Sequence, residues 1–224
     1  MTSDSIQTQA PEDRADHAAS APTTDAGVVP LTAADSDMTA RLLERAFHDD
    51  PMMRYLAPDE SSRARRALPF FAATIRFCRQ YGIAELTMDK DGAALWIKPE
   101  YTKITVGSML RSGVVLAPIK LGLSGMGRFN TLMSYGDKLH KQAISGQHWY
   151  LLTIGVEPNR QRTGVGGRLL AAGLQRADAD GLPCYLETAN PDNLPFYRRH
   201  GFEVAADGVL PDGGLHVWSM VRRK

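Results

Sequence analysis

The segment HWYLLTIGVEPNRQRTGVGGRLL, residues 148–170, constrains the fold most. An apolar strand enters a polar turn, and Gly164, Gly166 and Gly167 then sit where a helix must begin. The first turn of a helix carries backbone N–H groups with no partner inside the helix, and its aligned peptide dipoles favour negative charge. Glycine lets a bulky phosphate come close, because no Cβ stands in the way. The turn is therefore a diphosphate site on backbone grounds, with Arg160, Arg162 and Arg168 as candidates for added positive charge.

The rest of the chain supplies a sheet for that turn. A strand is expected at 28–31, then an amphipathic helix after Asp35 on the spacing of Met38, Leu42, Leu43, Ala46 and Phe47. A second helix is expected at 62–80, its arginines at 63, 65, 66, 76 and 79 forming a solvated face. Strands at 83–88 and 93–98 flank MDKDG, whose Asp91-Gly92 pair signals a hairpin. Residues 103–146 read as helices broken by glycines. Beyond the 148–156 strand come a helix at 164–180, a strand at 184–189, a short helix at 194–200, and strands at 202–205 and 215–221. This order predicts an α/β domain with a mixed sheet, one domain over 28–224.

Composition narrows the function. With 26 basic and 25 acidic residues the net charge is +1, which recommends no nucleic-acid partner. Residues 1–27 carry five acids against one arginine and read as a disordered leader, leaving +5 for the body. They lack the basic and apolar regions of a signal peptide, so a cytoplasmic location is expected. The apolar stretch 114–123 contains Pro118 and Lys120 and is too short to span a bilayer, so no membrane partner is expected. Cys78 and Cys184 belong to no CxxC pair and suggest neither a disulfide framework nor a metal.

Three diphosphate readings compete. A Walker A loop needs a lysine followed by Ser or Thr after its glycines, and none is present. A dinucleotide site fits Gly164-x-Gly166 and Glu187 on the next strand, but position 169 is leucine and the turn is long. The third reading is acyl-CoA. Gln161-Arg162-Thr163-Gly164-Val165-Gly166 resembles the [QR]xxGx[GA] loop of the GNAT acetyltransferases, and Asn190 with the following PDNLPFYRRHGF resembles their later motif. HWYLLTIGVEP and LWIKPE are similar to the puromycin N-acetyltransferase branch.

The resemblance implies a GNAT-like sheet splayed between its central strands, with helices on both faces, acetyl-CoA between those strands and direct transfer to an amine. It implies that Ile154, Gly155 and Val156 present strand backbone to the pantetheine arm. Gln161 through Gly166, with Gly167, would cradle the pyrophosphate, and Asn190 would hold the thioester arm. Tyr197 is the matching general acid, and a phenol near pKa 10 is protonated at neutral pH. Arg162 departs from the family, whose members commonly have glycine there.

The base is open between Glu187, which alternates with Leu186 on its strand, and His148 at the strand's mouth. Trp96, Trp149 and Tyr150 are candidates for an aromatic acceptor pocket. The expected partner is a small-molecule amine, with the protein a monomer or homodimer. A noncatalytic acyl-CoA sensor is the alternative of a different class; it would not need Tyr197.

Overall fold

The computed structural model describes residues 27–103, 111 and 122–223. The expected leader, apart from Gly27, and most of the 114–123 stretch lie outside the described residues. Among the described residues, no helix is long and apolar enough to cross a membrane.

Among the described residues, seven strands form one mixed sheet in the order β1-β2-β3-β4-β5-β7-β6. They are β1 (Val28–Pro30), β2 (Gly82–Thr87), β3 (Gly92–Ile97), β4 (Trp149–Val156), β5 (Cys184–Thr188), β6 (Glu203–Val209) and β7 (His216–Arg222). Of the described pairings only β4 with β5 is parallel, because a helical crossover joins these two strands. The helices are α1 (Ser36–Ala46), α2 (Pro51–Leu56), α3 (Glu60–Tyr81), α4 (Gly122–Ala143), α5 (Val165–Asp180) and α6 (Leu194–Arg199). The expected mixed α/β sheet with helices on both faces is present.

Apolar cores cover both faces of the sheet. On one face α1, α3 and α4 bury Leu42, Leu43, Phe71, Ile75 and Phe129 against Tyr150 and Tyr185. On the other, α5 and α6 bury Leu169, Leu170 and Tyr197 against Trp96, Trp149, Leu151 and Leu186. Burial on both faces explains why GAALWI of β3 is buried at every position.

Several local expectations need correction. The α4 helix runs unbroken for 22 residues through Gly125, Gly127 and Gly136, its cost in propensity outweighed by packing against β6, β7 and α2. Residues 51–56 form a helix that periodicity did not predict; Asp50 caps it by accepting the Met52 N–H at 2.9 Å, with Pro51 in the first turn. The reversal between β2 and β3 centres a step earlier than the Asp-Gly pair suggests. Lys90 takes the positive φ of 55°, and Gly92 already belongs to β3. Arg63 leaves the expected solvated face: it is buried and donates to the carbonyls of Ala57, His48 and Pro58, tying down the turns around α2.

Candidate active site

The site begins with a fault in the sheet. β4 pairs with β5 from Trp149↔Cys184 to Leu151↔Leu186, and beyond that point the strands part. The departure coincides with a bulge. Opposite β3 the register passes from Trp96↔Leu151 to Leu95↔Thr153, so Leu152 is the extra residue. A bulge bends its strand and increases the local twist, which carries the end of β4 away from β5. It also resets the alternation of side chains. Tyr150 and Gly155, five residues apart, face the same core, which an unbroken strand forbids.

The freed end of β4 presents backbone to the cleft. Glu157 donates its N–H to the Asp91 carbonyl at 2.9 Å, which turns position 157 toward β3. Antiparallel alternation then turns Gly155 and Thr153 toward β3 as well, and leaves the N–H and C=O groups of Ile154 and Val156 facing the split. Gln161 Nε2 donates to the Val156 carbonyl at 3.2 Å, folding the following loop back over the strand end. Gly155 itself does another job. A Cβ there would lie 2.6 Å from Leu43 Cδ2, so its lack of a side chain lets α1 dock on β4. It is removed from the group of cleft-facing residues.

Residues 157–164 are staked at several points. Arg160 Nε donates to Asp91 Oδ2 at 2.9 Å, Thr163 Oγ1 donates to the Arg160 carbonyl at 2.7 Å, and Arg45 pairs with Glu157. Arg160 is thereby committed to the hairpin. Two residues have left-handed backbone: Arg162 at φ 61° and Gly164 at φ 89°. A non-glycine residue in this region costs on the order of 1 kcal/mol, which explains why glycine suits position 162 and what arginine gives up there. Gly164 caps α5, accepting the Arg168 N–H at 3.1 Å. Helix geometry leaves the N–H groups of Val165, Gly166 and Gly167 without carbonyls inside the helix. Their side-chain positions are spoken for: Val165 is buried, while Gly166 and Gly167 lie against Phe196 and His200 of the α6 region. The arrangement fits a diphosphate held by backbone donors.

Below the cleft, on the α5 side, lies Tyr197. It is 6% exposed, in edge contact with Phe196 and Phe202, and its hydroxyl makes no hydrogen bond among the described residues. Burial pushes its phenol up, and the Asp50 charge adds to the rise. Asp50, which sequence reasoning passed over, has its own carboxyl pushed up by burial. The only sign of it in the chain is the Asp-Pro pair opening α2. Asn190 uses Oδ1 to accept the Asp192 N–H at 3.0 Å and shapes the turn before α6, and among the described residues its Nδ2 has no acceptor.

Glu187 lies on the opposite face, at the first step past the last β4–β5 pair. Its carboxylate accepts the Tyr185 hydroxyl at 2.7 Å and the Tyr150 hydroxyl at 3.0 Å. Burial raises its pKa, and the two tyrosine hydrogen bonds oppose that rise. A carboxylate displaced toward neutrality is suited to exchanging a proton with an amine.

The remaining candidates are placed elsewhere. Trp96 is fully buried beneath α5, where a Cβ on Gly173 would lie 2.2 Å from its ring. Trp149 is on the same face, donating to Asp180 at 2.8 Å with Arg176 over its ring. Both pack α5 onto the sheet, and only Tyr150 of the three aromatics faces the Glu187 side. His148 stands at the closed end of β4, where the strands are still paired. Its Nδ1 faces the Gly146 carbonyl at 2.9 Å and its Nε2 faces His140 Nε2 at 2.8 Å, so neither nitrogen is open to a substrate.

A carbonyl only accepts, so His148 carries its proton on Nδ1, and Nε2 accepts from His140. Both rings are neutral. Burial, then the neighbouring His148, brings His140 down to about 4, and burial lowers His148 as well. With folded values below the unfolded reference near 6.5, the pair's contribution is complete above that pH and is lost as pH falls toward 4. His140→Gln should therefore flatten the fall of Tm between pH 6.5 and 4 relative to the parent. Parallel Tm curves would remove the pair from the pH dependence.

Among the described residues no group of three or more His, Cys, Asp or Glu could hold a metal. Cys78 and Cys184 are free and buried, and burial pushes the Cys184 thiol up to about 12, unlike a nucleophile.

The acetyltransferase (GNAT) family matches residues 110–202. An uncharacterized N-acetyltransferase of Schizosaccharomyces pombe is 30% identical over 185 residues, covering 77% of this chain and 72% of that protein. The solved structure of histone acetyltransferase HPA2 and related acetyltransferase from Corynebacterium glutamicum shares the fold, with TM-score 0.61 and 24% identity over 88% of this chain and 94% of that one. So does arylalkylamine N-acetyltransferase 2 of Aedes aegypti, with TM-score 0.55 and 13% identity over 88% and 97% of the two chains. The shared sheet, the glycine-capped α5 and the sequence match to the S. pombe protein agree: this chain belongs to the GNAT family of acetyltransferases.

Proposed function

We propose that this protein transfers the acetyl group of acetyl-CoA to a primary amine of a small molecule, by direct attack in a ternary complex formed within residues 28–224. Acetyl-CoA-dependent acyl transfer is the general activity that the family carries. The observation that carries the finer reading is the split between β4 and β5, with the Glu187 carboxylate on one face and the Tyr197 hydroxyl on the other.

The residues divide the work. Val165, Gly166 and Gly167 supply backbone donors to the diphosphate, and Asn190 and the cleft-facing backbone of Ile154 and Val156 hold the thioester arm. Fixing the donor beside an amine replaces a bimolecular encounter with an oriented one. A strand N–H aimed at the thioester carbonyl stabilises charge as it develops there. Glu187 receives the amine proton or holds the ammonium, and Tyr197 donates its proton to the departing sulfur. Among acceptors, an aromatic or nucleoside-like amine is favoured by the resemblance of HWYLLTIGVEP and PDNLPFYRRHGF to puromycin N-acetyltransferases.

The test is a mass shift for one acetyl group when purified protein, acetyl-CoA and an amine panel including puromycin are combined. Acetyl-CoA binding without any acetylated amine would favour a sensor instead. Glu187→Gln should lower kcat/KM for the acceptor about tenfold near pH 7 while leaving acetyl-CoA affinity unchanged. Preserved rate and acceptor affinity across the pH range would remove Glu187.

A further inference from the structure

We propose that Tyr185, with Tyr150 beside it, is a positioning residue that keeps the Glu187 carboxylate ionised and fixed, in a space that Gly136 of α4 leaves open. The proposal rests on the reading of Glu187 as the group that serves the acceptor amine.

Strand register assembles the cluster. Alternation puts Tyr185 and Glu187 on one face of β5. The parallel neighbour of Tyr185 is Tyr150, and the antiparallel neighbour of Glu187 is Ser219. Four polar side chains thus meet on one face, on either side of the last β4–β5 pair. Their hydrogen bonds run in one direction. A carboxylate only accepts, so Tyr185 spends its single proton on Glu187 Oε1 at 2.7 Å. Ser219 Oγ lies 2.9 Å from the same phenol oxygen and must therefore donate to it. Tyr150 donates to Oε2 at 3.0 Å. Both carboxylate oxygens face donors, and one of those donors is polarised by a third hydroxyl.

Packing alone does not account for this arrangement. Tyr185 and Ser219 are fully buried, and apolar side chains of similar shape would fill the same volume without desolvating a carboxylate. The roof is adapted as well. A Cβ at position 136 would lie 3.2 Å from Glu187 Oε1 and 3.6 Å from Oε2, so α4 passes directly over the carboxylate. Glycine in the middle of a helix is among the least favourable residues, and here it makes that close passage possible.

The groups that bear on the carboxylate come from several elements. Asp137 of α4 acts on Glu187 directly, and His140 of α4 stacks flat on Tyr185 at 4.0 Å between ring centroids. His148 meets Tyr185 edge-on, and the Cys78 thiol of α3 near Tyr150 is held protonated by burial. Burial raises Glu187, whereas the two phenols lower it. Removing a phenol hydroxyl therefore raises the carboxyl pKa, and the acid limb of acceptor kcat/KM moves to higher pH.

The experiment follows the Glu187 carboxyl by 13C NMR in protein labelled at the glutamate side-chain carboxyls, with Glu187→Gln identifying the resonance. Tyr185→Phe should raise its titration by about one pH unit, and Tyr150→Phe and Ser219→Ala should raise it by less. Gly136→Ala should increase KM for the acceptor severalfold with acetyl-CoA affinity unchanged. An unshifted resonance in Tyr185→Phe and in Tyr150→Phe, both folded by thermal melting, would overturn the proposal. The pH–rate profile of the same variants is a separate readout. A shifted resonance with an unmoved acid limb upholds the positioning of Glu187 while overturning its service to the amine.

Discussion

Tyr197→Phe is expected to cut the acetyl-transfer rate about a hundredfold while leaving acetyl-CoA affinity and Tm near those of the parent. Removing a buried hydroxyl usually costs stability because a partner is orphaned. Tyr197 has no such partner among the described residues, and its ring contacts with Phe196 and Phe202 survive in phenylalanine. Stability and catalysis therefore separate cleanly at this position. Burial and the Asp50 charge both favour the protonated phenol, so the parent enters each cycle with its proton in place. In the proposed acid role the contact with sulfur would strengthen only as the carbon–sulfur bond breaks, so its loss would fall on turnover and not on ground-state binding. Single-turnover rates at saturating acetyl-CoA and amine check this. An unchanged rate when chemistry is limiting removes Tyr197 from the acid role.

Local signals in the chain reported most of the sheet but little of what splits it. Apolar runs located β2 to β5 to within a residue or two, and the glycines at 164, 166 and 167 located the start of α5. The bulge at Leu152 left no mark, because it exists only relative to the register of β3. That one extra residue decides which side chains share a face. Position 155 consequently serves α1, while 154 and 156 open to the cleft. Trp96 and Trp149 could be read as pocket or core from residue type alone, and only the packing of α5, with Gly173 against the Trp96 ring, decides between them. The cluster around Glu187 was half legible. Alternation on β5 put Glu187 opposite Leu186, but its donors come from strands whose pairing no local pattern fixes. His140 and His148 are eight residues apart and meet only because the intervening turn returns to the sheet. Gly136, among the glycines that break the helical pattern of 103–146, gives no local sign of its use for the same reason: the carboxylate beneath it is distant in sequence.

Gly164→Val is expected to weaken acetyl-CoA binding by on the order of a hundredfold, and the cause lies in the backbone. Nothing stands within 4 Å of a Cβ at this position, so valine meets no clash. It meets φ 89° instead, a region that a β-branched residue enters only at a cost of about 1–3 kcal/mol. Relieving that strain by moving φ to negative values would re-aim the first turn of α5 and take the N–H groups of Val165 to Gly167 off the diphosphate of the proposed site. Arg162→Gly provides the contrasting result. Glycine relieves roughly 1 kcal/mol of left-handed strain but adds a similar entropic cost by freeing the unfolded chain, so Tm should hardly move. Affinity should change less than about threefold, since in the proposed site backbone donors rather than the guanidinium would carry the anion. Titration calorimetry with acetyl-CoA, and with NAD as the competing ligand class, measures both variants on protein shown to be folded. Equal affinity of Gly164→Val and parent for acetyl-CoA would move the diphosphate away from this helix end, and binding of NAD in preference to acetyl-CoA would reverse the choice between the two glycine-turn readings.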